Sequence, residues 1–197
     1  MESSPRTPPW LGAGWWALCF QFFVAEQIAR LRWPGHYSMS MNRISDLGAA
    51  NSPLHWVMNG SFVVQGVLIS VGAILMRRLF PAKASYRVAL LLFLVSGLGV
   101  LVVGLVPEDG DAQVHRVAAL AHLLAGNLAM ILMGLAMVAG AARMRFRGAI
   151  TLLAGLLGLT ALVLLGLGEK NVGTFERLAA YPLTLWLTWM GWLMFHS

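Results

Sequence analysis

The chain has 197 residues, 58% of them hydrophobic and only 11% charged, with a formal net charge of +6. A soluble domain carries about 25% charged residues, so this composition excludes a chain that covers itself with polar surface in water. The basic residues sit in short connectors between apolar runs, which reads as membrane topology rather than as a nucleic-acid surface.

Six runs approach or exceed the roughly 20 residues that a helix needs to cross hydrocarbon. They extend from Trp10 to Ala29, His55 to Met76, Tyr86 to Val106, Val114 to Ala142, Gly148 to Gly168, and Glu176 to Phe195. They are continuous rather than alternating, which selects helices over a barrel, because a helix satisfies its own backbone within lipid. The expected fold is all-α: a polytopic bundle of six transmembrane helices forming one integral membrane domain over 1–197. The first run follows Arg6, as a secretory leader would, but Pro5, Pro8 and Pro9 crowd its boundary, and it is read as a retained span. Its lone cysteine, Cys19, reads as a small buried hydrophobe. Trp10, Trp15 and Trp16 suit an interfacial belt, and Trp186, Trp189 and Trp192 suit packing or lipid contact.

Basic residues set the orientation. Arg77, Arg78, Lys83 and Arg87 follow the second run, and Arg143, Arg145 and Arg147 follow the fourth. Both connectors are expected in the cytoplasm, with both termini. Glu26, Asp46, Glu108, Asp109, Asp111, Glu169 and Glu176 then fall outside, and Glu2 inside. Arg30, Arg32 and Arg43 oppose this assignment mildly. The longest connector, residues 30–54, is expected to be ordered and to cover the outer end of the bundle.

Polar residues gather toward that end. Four of the five histidines, His36, His55, His115 and His122, lie there, and His196 is the exception. His115 and His122 are seven apart, so they share a helix face roughly 10 Å apart. Asn59 is one turn from His55, and Glu26, Gln27, Glu176 and Arg177 occupy helix ends. Ionisable groups in spans usually face a cavity or a partner. Taken singly, each has a structural reading. Glu26 can pair with Arg30, Asp111 can cap the fourth helix and Thr174 the sixth, and Glu108, Asp109 and Asp111 read as a solvated loop. Taken together, they support an outward-facing polar pocket.

Three chemistries fit these residue types. Ser45, Asp46 and His115 suit hydrolysis or transfer on a lipid-like substrate, although no nucleophile elbow surrounds Ser45. His115 and His122 with Asp46 or Glu176 suit zinc or iron, although the seven-residue spacing is loose. His55 and His122 could bracket a haem, but no histidine pair serves the other side.

Several segments resemble a widespread prokaryotic membrane family catalogued as domain of unknown function 998. They are Trp33-Pro34-Gly35-His36-Tyr37-Ser38, Ile44-Ser45-Asp46-Leu47-Gly48-Ala49, Asn59-Gly60, Pro107 with its acidic followers, His115, and Phe175-Glu176-Arg177-Leu178. The resemblance covers nearly the whole chain. It implies a multi-helix protein of a prokaryotic plasma membrane whose characteristic polar residues are Ser45, Asp46, Asn59, His115, Glu176 and Arg177. His36 and His122 fall outside that pattern. It implies no activity, cofactor or metal.

The combined expectation is a site with Asp46, His115 and Glu176 as catalytic groups. Ser45, Asn59, His122 and Arg177 would bind the ligand, and Arg177 would pair with Asp46 or Glu176 or hold an anionic head group. The expected partners are membrane lipid and a lipid or small amphiphile. An enzyme acting on that amphiphile is preferred over a non-catalytic binding protein or a transporter. Cofactor, metal and oligomeric state are left open.

Overall fold

The computed structural model describes residues 9–168 and 170–195. Glu2, Pro5, Arg6, Pro8, Glu169 and His196, used above for charge placement or for the N-terminal boundary, lie outside the described residues. Among the described residues all regular structure is helical.

Helices α1 (Pro9–Ala17) and α2 (Gln21–Leu31) are joined through a 3₁₀ turn at Leu18–Phe20. Ala17, Phe20 and Gln21 all keep right-handed helical dihedrals, so the two segments form one rod with a tightened turn. The others are α3 (His55–Met76), α4 (Ala84–Leu105), α5 (Ala112–Val138), α6 (Arg145–Gly166) and α7 (Val172–Phe195). α3, α4, α5, α7 and the segment Ala142–Gly166 make five elements long and apolar enough to cross a membrane. Each rod packs on its sequence neighbour, and α7 returns to pack on α1, which closes the bundle into a ring.

Small residues set the closest contacts. At Gly66 on α3, a side chain would strike the carbonyl of Gly97 on α4, and at Gly97 it would strike Ser70. Lipid alone gives little reason for helices to associate, so such close backbone approach supplies dispersion energy that larger residues would forfeit. The interior is aromatic at one level. Phe93 and Trp186 stack at 5.3 Å, and Trp16 meets each of them at 5.7 Å. The Trp186 indole donates to Thr151 Oγ1 at 2.7 Å, and that of Trp16 to the Ile69 carbonyl at 3.3 Å. Trp16 is therefore a core residue and not part of an interfacial belt. Outward faces are apolar: Leu153, Leu157 and Val163 on α6 and Leu91 and Leu98 on α4 are all at least half exposed. An exposed aliphatic face is what lipid solvates.

The segment between α2 and α3 folds onto one end of this ring. Its Ile44 and Leu47 are buried among core residues, and Ser45–Gly48 forms a 3₁₀ turn.

Candidate functional site

Arg177, on the second turn of α7, is the anchor of this end. Its Nε and Nη2 reach Glu26 Oε1 at 3.0 and 2.9 Å. Nη2 also donates to the Tyr37 hydroxyl at 2.6 Å, and Nη1 to the carbonyls of Met39, Asn42 and Gly173 at 2.7, 2.9 and 3.0 Å. The other Glu26 oxygen accepts from the Tyr181 hydroxyl at 2.6 Å. Arg177 pairs with neither Asp46 nor Glu176, and Glu26 pairs with Arg177 rather than Arg30. The reason is reach: the Arg177 fork lies against α2 and the backbone of residues 39–42, so its donors are saturated there.

The same segment caps α7. The Ser40 carbonyl accepts from Gly173 N at 2.9 Å and Thr174 N at 3.2 Å. The first-turn N–H groups, which have no intrahelical partner, are thus satisfied by a distant carbonyl, and Thr174 is a donor to the cap rather than the cap itself. Glu176 Oε2 accepts from Ile44 N at 2.5 Å.

Asp46 Oδ2 accepts from Arg43 N at 2.9 Å and from the Asn42 amide at 3.3 Å, which tightens the turn before the 3₁₀ segment. Asn59 donates to the Gly48 carbonyl at 2.8 Å, fastening that turn to α3.

The α4–α5 turn is not simply a solvated loop. Glu108 accepts from the Ser45 hydroxyl at 2.5 Å and from Arg43 Nη1 at 3.1 Å. Asp109 accepts from Ala50 N at 2.8 Å. Asp111 caps α5 by accepting from Gln113 N and Val114 N at 3.0 and 3.1 Å. Three successive acidic positions thus fasten one turn to the connector and to its own helix.

Beside Glu108, a cavity of about 310 Å³ opens between α5, α6 and α7. Arg43, Ser45, Glu108, His115, Arg116 and Glu176 form its polar part, and Ala119, Leu120, Leu123, Leu162 and Leu165 its apolar part. Ser45, His115 and Glu176 also border a neighbouring recess of about 40 Å³, where His122 joins them. That recess has room for a water-sized molecule.

The His115 ring has a defined tautomer. Nδ1 lies 2.7 Å from the Val106 carbonyl, which can only accept, so Nδ1 carries the proton when the ring is neutral. The lone pair is then on Nε2. His122 is held deeper, with Nδ1 3.0 Å from the Ser96 carbonyl and the Ser96 hydroxyl donating to the His122 carbonyl at 2.9 Å.

Ser45, His115, His122 and Glu176 therefore meet at one recess, whereas Asp46, Asn59 and Arg177 are bound into the connector. His55 Nδ1 contacts the Ser52 carbonyl at 2.9 Å, and His36 is exposed. Arg43, Glu108 and Arg116 were missed as cavity residues. The proline followed by acids at Pro107 carried the signal for Glu108. Nothing in the sequence singled out Arg116. Among the described residues no three His, Cys, Asp or Glu side chains are grouped as a metal site requires.

Long apolar helices and a polar cluster stitched across one end define an integral membrane protein of the helix-bundle class. The family model described as a protein of unknown function, DUF998, matches residues 11–193, and the chain belongs to that family. No curated protein and no solved structure is similar to it.

Proposed function

We propose that this is a six-span protein that binds an amphiphile in the cavity between α5, α6 and α7 and acts on it by acid–base chemistry. The His115 ring carries the reading. Its Nδ1–H is committed to a carbonyl, and its Nε2 is left to accept a proton at a cavity wall. The lining supports the substrate class, because charged and hydroxyl groups border one part and leucines the other. A volume of about 310 Å³ lies at the low end of ordinary ligand pockets, enough for a polar head with the start of a chain.

In a hydrolysis or transfer, Nε2 takes the proton of an attacking water or hydroxyl. The new bond forms at the head group, its former ester bond breaks, and the departing oxygen receives the proton from the imidazolium. Glu176 commits Oε2 to the Ile44 N–H, so its other oxygen can hold a substrate hydroxyl, and Arg43 and Arg116 suit an anionic group. In this reading the first rod is the sixth span, both termini and the two basic connectors lie in the cytoplasm, and residues 30–54 cover the outer face. A prokaryotic plasma membrane is the compartment that the family resemblance implies.

The experiment is native mass spectrometry of the purified full chain, followed by turnover assays on lipids that co-purify or are supplied. His115→Ala should keep the bound amphiphile and the unfolding temperature but lower turnover about a hundredfold or more. Ala119→Trp should fill the cavity and lose both ligand and turnover. Undiminished turnover in His115→Ala would remove the acid–base role. A retained lipid with no turnover in the natural chain would leave a binding protein.

A further inference from the structure

At the end of the bundle opposite the connector, α3 and α4 border a second cavity, of about 660 Å³. Arg77 and Arg78 line it just beyond the last residue of α3, and Arg87 lines it from the first turn of α4. Ile74, Leu91 and Leu94 continue it along the helices. From Arg87 to Leu94 the groove descends roughly 10 Å, at 1.5 Å per residue.

None of these three guanidinium groups forms an ion pair or side-chain hydrogen bond among the described residues. The carboxylates of Glu26, Asp46, Glu108 and Glu176 are engaged at the other end. Helix electrostatics explains only part of the cluster. Arg77 and Arg78 complement the negative C-terminus of α3, but Arg87 stands at the positive N-terminus of α4, where a cation is unfavourable. An anion between the two helix ends would compensate all three.

We propose that this groove is a binding site for an anionic phospholipid, with the phosphate among Arg77, Arg78 and Arg87 and one acyl chain along Ile74, Leu91 and Leu94. Charge complementarity selects the head group, since guanidinium forks bind phosphate oxygens in pairs. The apolar continuation selects a lipid over a soluble phosphate or an acidic peptide. This inference is independent of the acid–base reading at the other end.

The test uses the full chain in detergent, titrated with phosphatidylglycerol or phosphatidylcholine of identical acyl chains and read by native mass spectrometry. The natural protein should prefer phosphatidylglycerol by about tenfold or more, as expected for several basic residues each contributing to anionic-lipid attraction. The triple variant Arg77→Gln, Arg78→Gln, Arg87→Gln should lose that preference. Arg143→Gln, Arg145→Gln, Arg147→Gln removes equal charge from the other basic connector and should keep it. Leu91→Trp, which obstructs the groove with every arginine in place, should also weaken phosphatidylglycerol binding. If the first triple variant fails to fold, the natural chain and Leu91→Trp decide. No preference in the natural protein, equal loss in both triple variants, or unaltered binding in Leu91→Trp would overturn the site.

Discussion

Arg177 and Glu26 share a single carboxylate oxygen: Nε and Nη2 of the arginine both reach Oε1, at 3.0 and 2.9 Å, with side-chain exposures of 6% and 0%. Two donors on one acceptor leave the second oxygen for Tyr181, so one carboxylate ties α2 to two successive turns of α7. Removing either partner strands the other charge out of water.

Glu26→Gln or Arg177→Met should therefore cost about 3–5 kcal/mol of stability. Thermal or denaturant unfolding in detergent reads this. The double variant should lose clearly less than the sum of the two, because neither charge is then stranded. Strict additivity would show that the pair is not coupled.

Gly173→Ala tests the seat of the connector on α7. A methyl group there would press on the carbonyl oxygens of Met39 and Asn42, which are backbone atoms and cannot swing aside. Destabilisation of about 1–3 kcal/mol is expected, with faster proteolysis within residues 32–54. Gly60→Ala is the control: a methyl group on Gly60 meets nothing within 4 Å. Equal behaviour of the two variants would argue against a tight seat.

Tyr37 gives the pH dependence. Burial pushes its hydroxyl from an ordinary 10.0 up to about 12, against the lowering effect of Arg177 beside it. A raised value means that the folded state favours the protonated phenol. Its contribution is complete below pH 10 and is lost as pH rises from 10 through about 12. Stability should decline across that alkaline window, and Tyr37→Phe should flatten this part of the curve. An unchanged profile in Tyr37→Phe would assign the decline to other groups.

Topology is tested with single cysteines. Cys19 is buried, so the background is low. Arg145→Cys should resist an impermeant thiol reagent in intact cells and react after permeabilisation, whereas Met41→Cys should react from outside. Labelling of residue 145 from outside would invert the orientation.

The fold was more legible in sequence than the wiring of its polar end. His55–Met76 stands where hydropathy puts it, because both ends of α3 are marked by a change in polarity. α7 begins at Val172, four residues before the expected Glu176, because Ser40 supplies the cap that the local sequence lacks. α5 ends at Val138, before the expected Ala142, and the chain turns at Gly140 ahead of the basic connector. Depth along each helix could be counted, and of the seven residues grouped in sequence Ser45, His115, His122 and Glu176 border one recess whereas Asp46, Asn59 and Arg177 do not. Rotation about the helix axes could not. Whether Arg177 faced Asp46, Glu176 or Glu26 depended on how rods far apart in sequence turn toward one another.

The closure of α7 against the first rod has a consequence for biosynthesis. Glu26 precedes Arg177 by 151 residues, so in the proposed six-span arrangement its carboxylate would enter the membrane long before its counter-charge exists. The ribosome must deliver α3 through α6 while the first rod lacks both its charge partner and the Tyr181 hydroxyl. Arrival of α7 would supply the charge partner of Glu26 and the guanidinium on which the Met39 and Asn42 carbonyls seat. A nascent chain arrested after Gly166 would expose that lone carboxylate, a feature that membrane quality-control proteases could read as unfinished. Chains truncated at Gly166 should be degraded faster than the full chain, and Glu26→Gln should slow the loss.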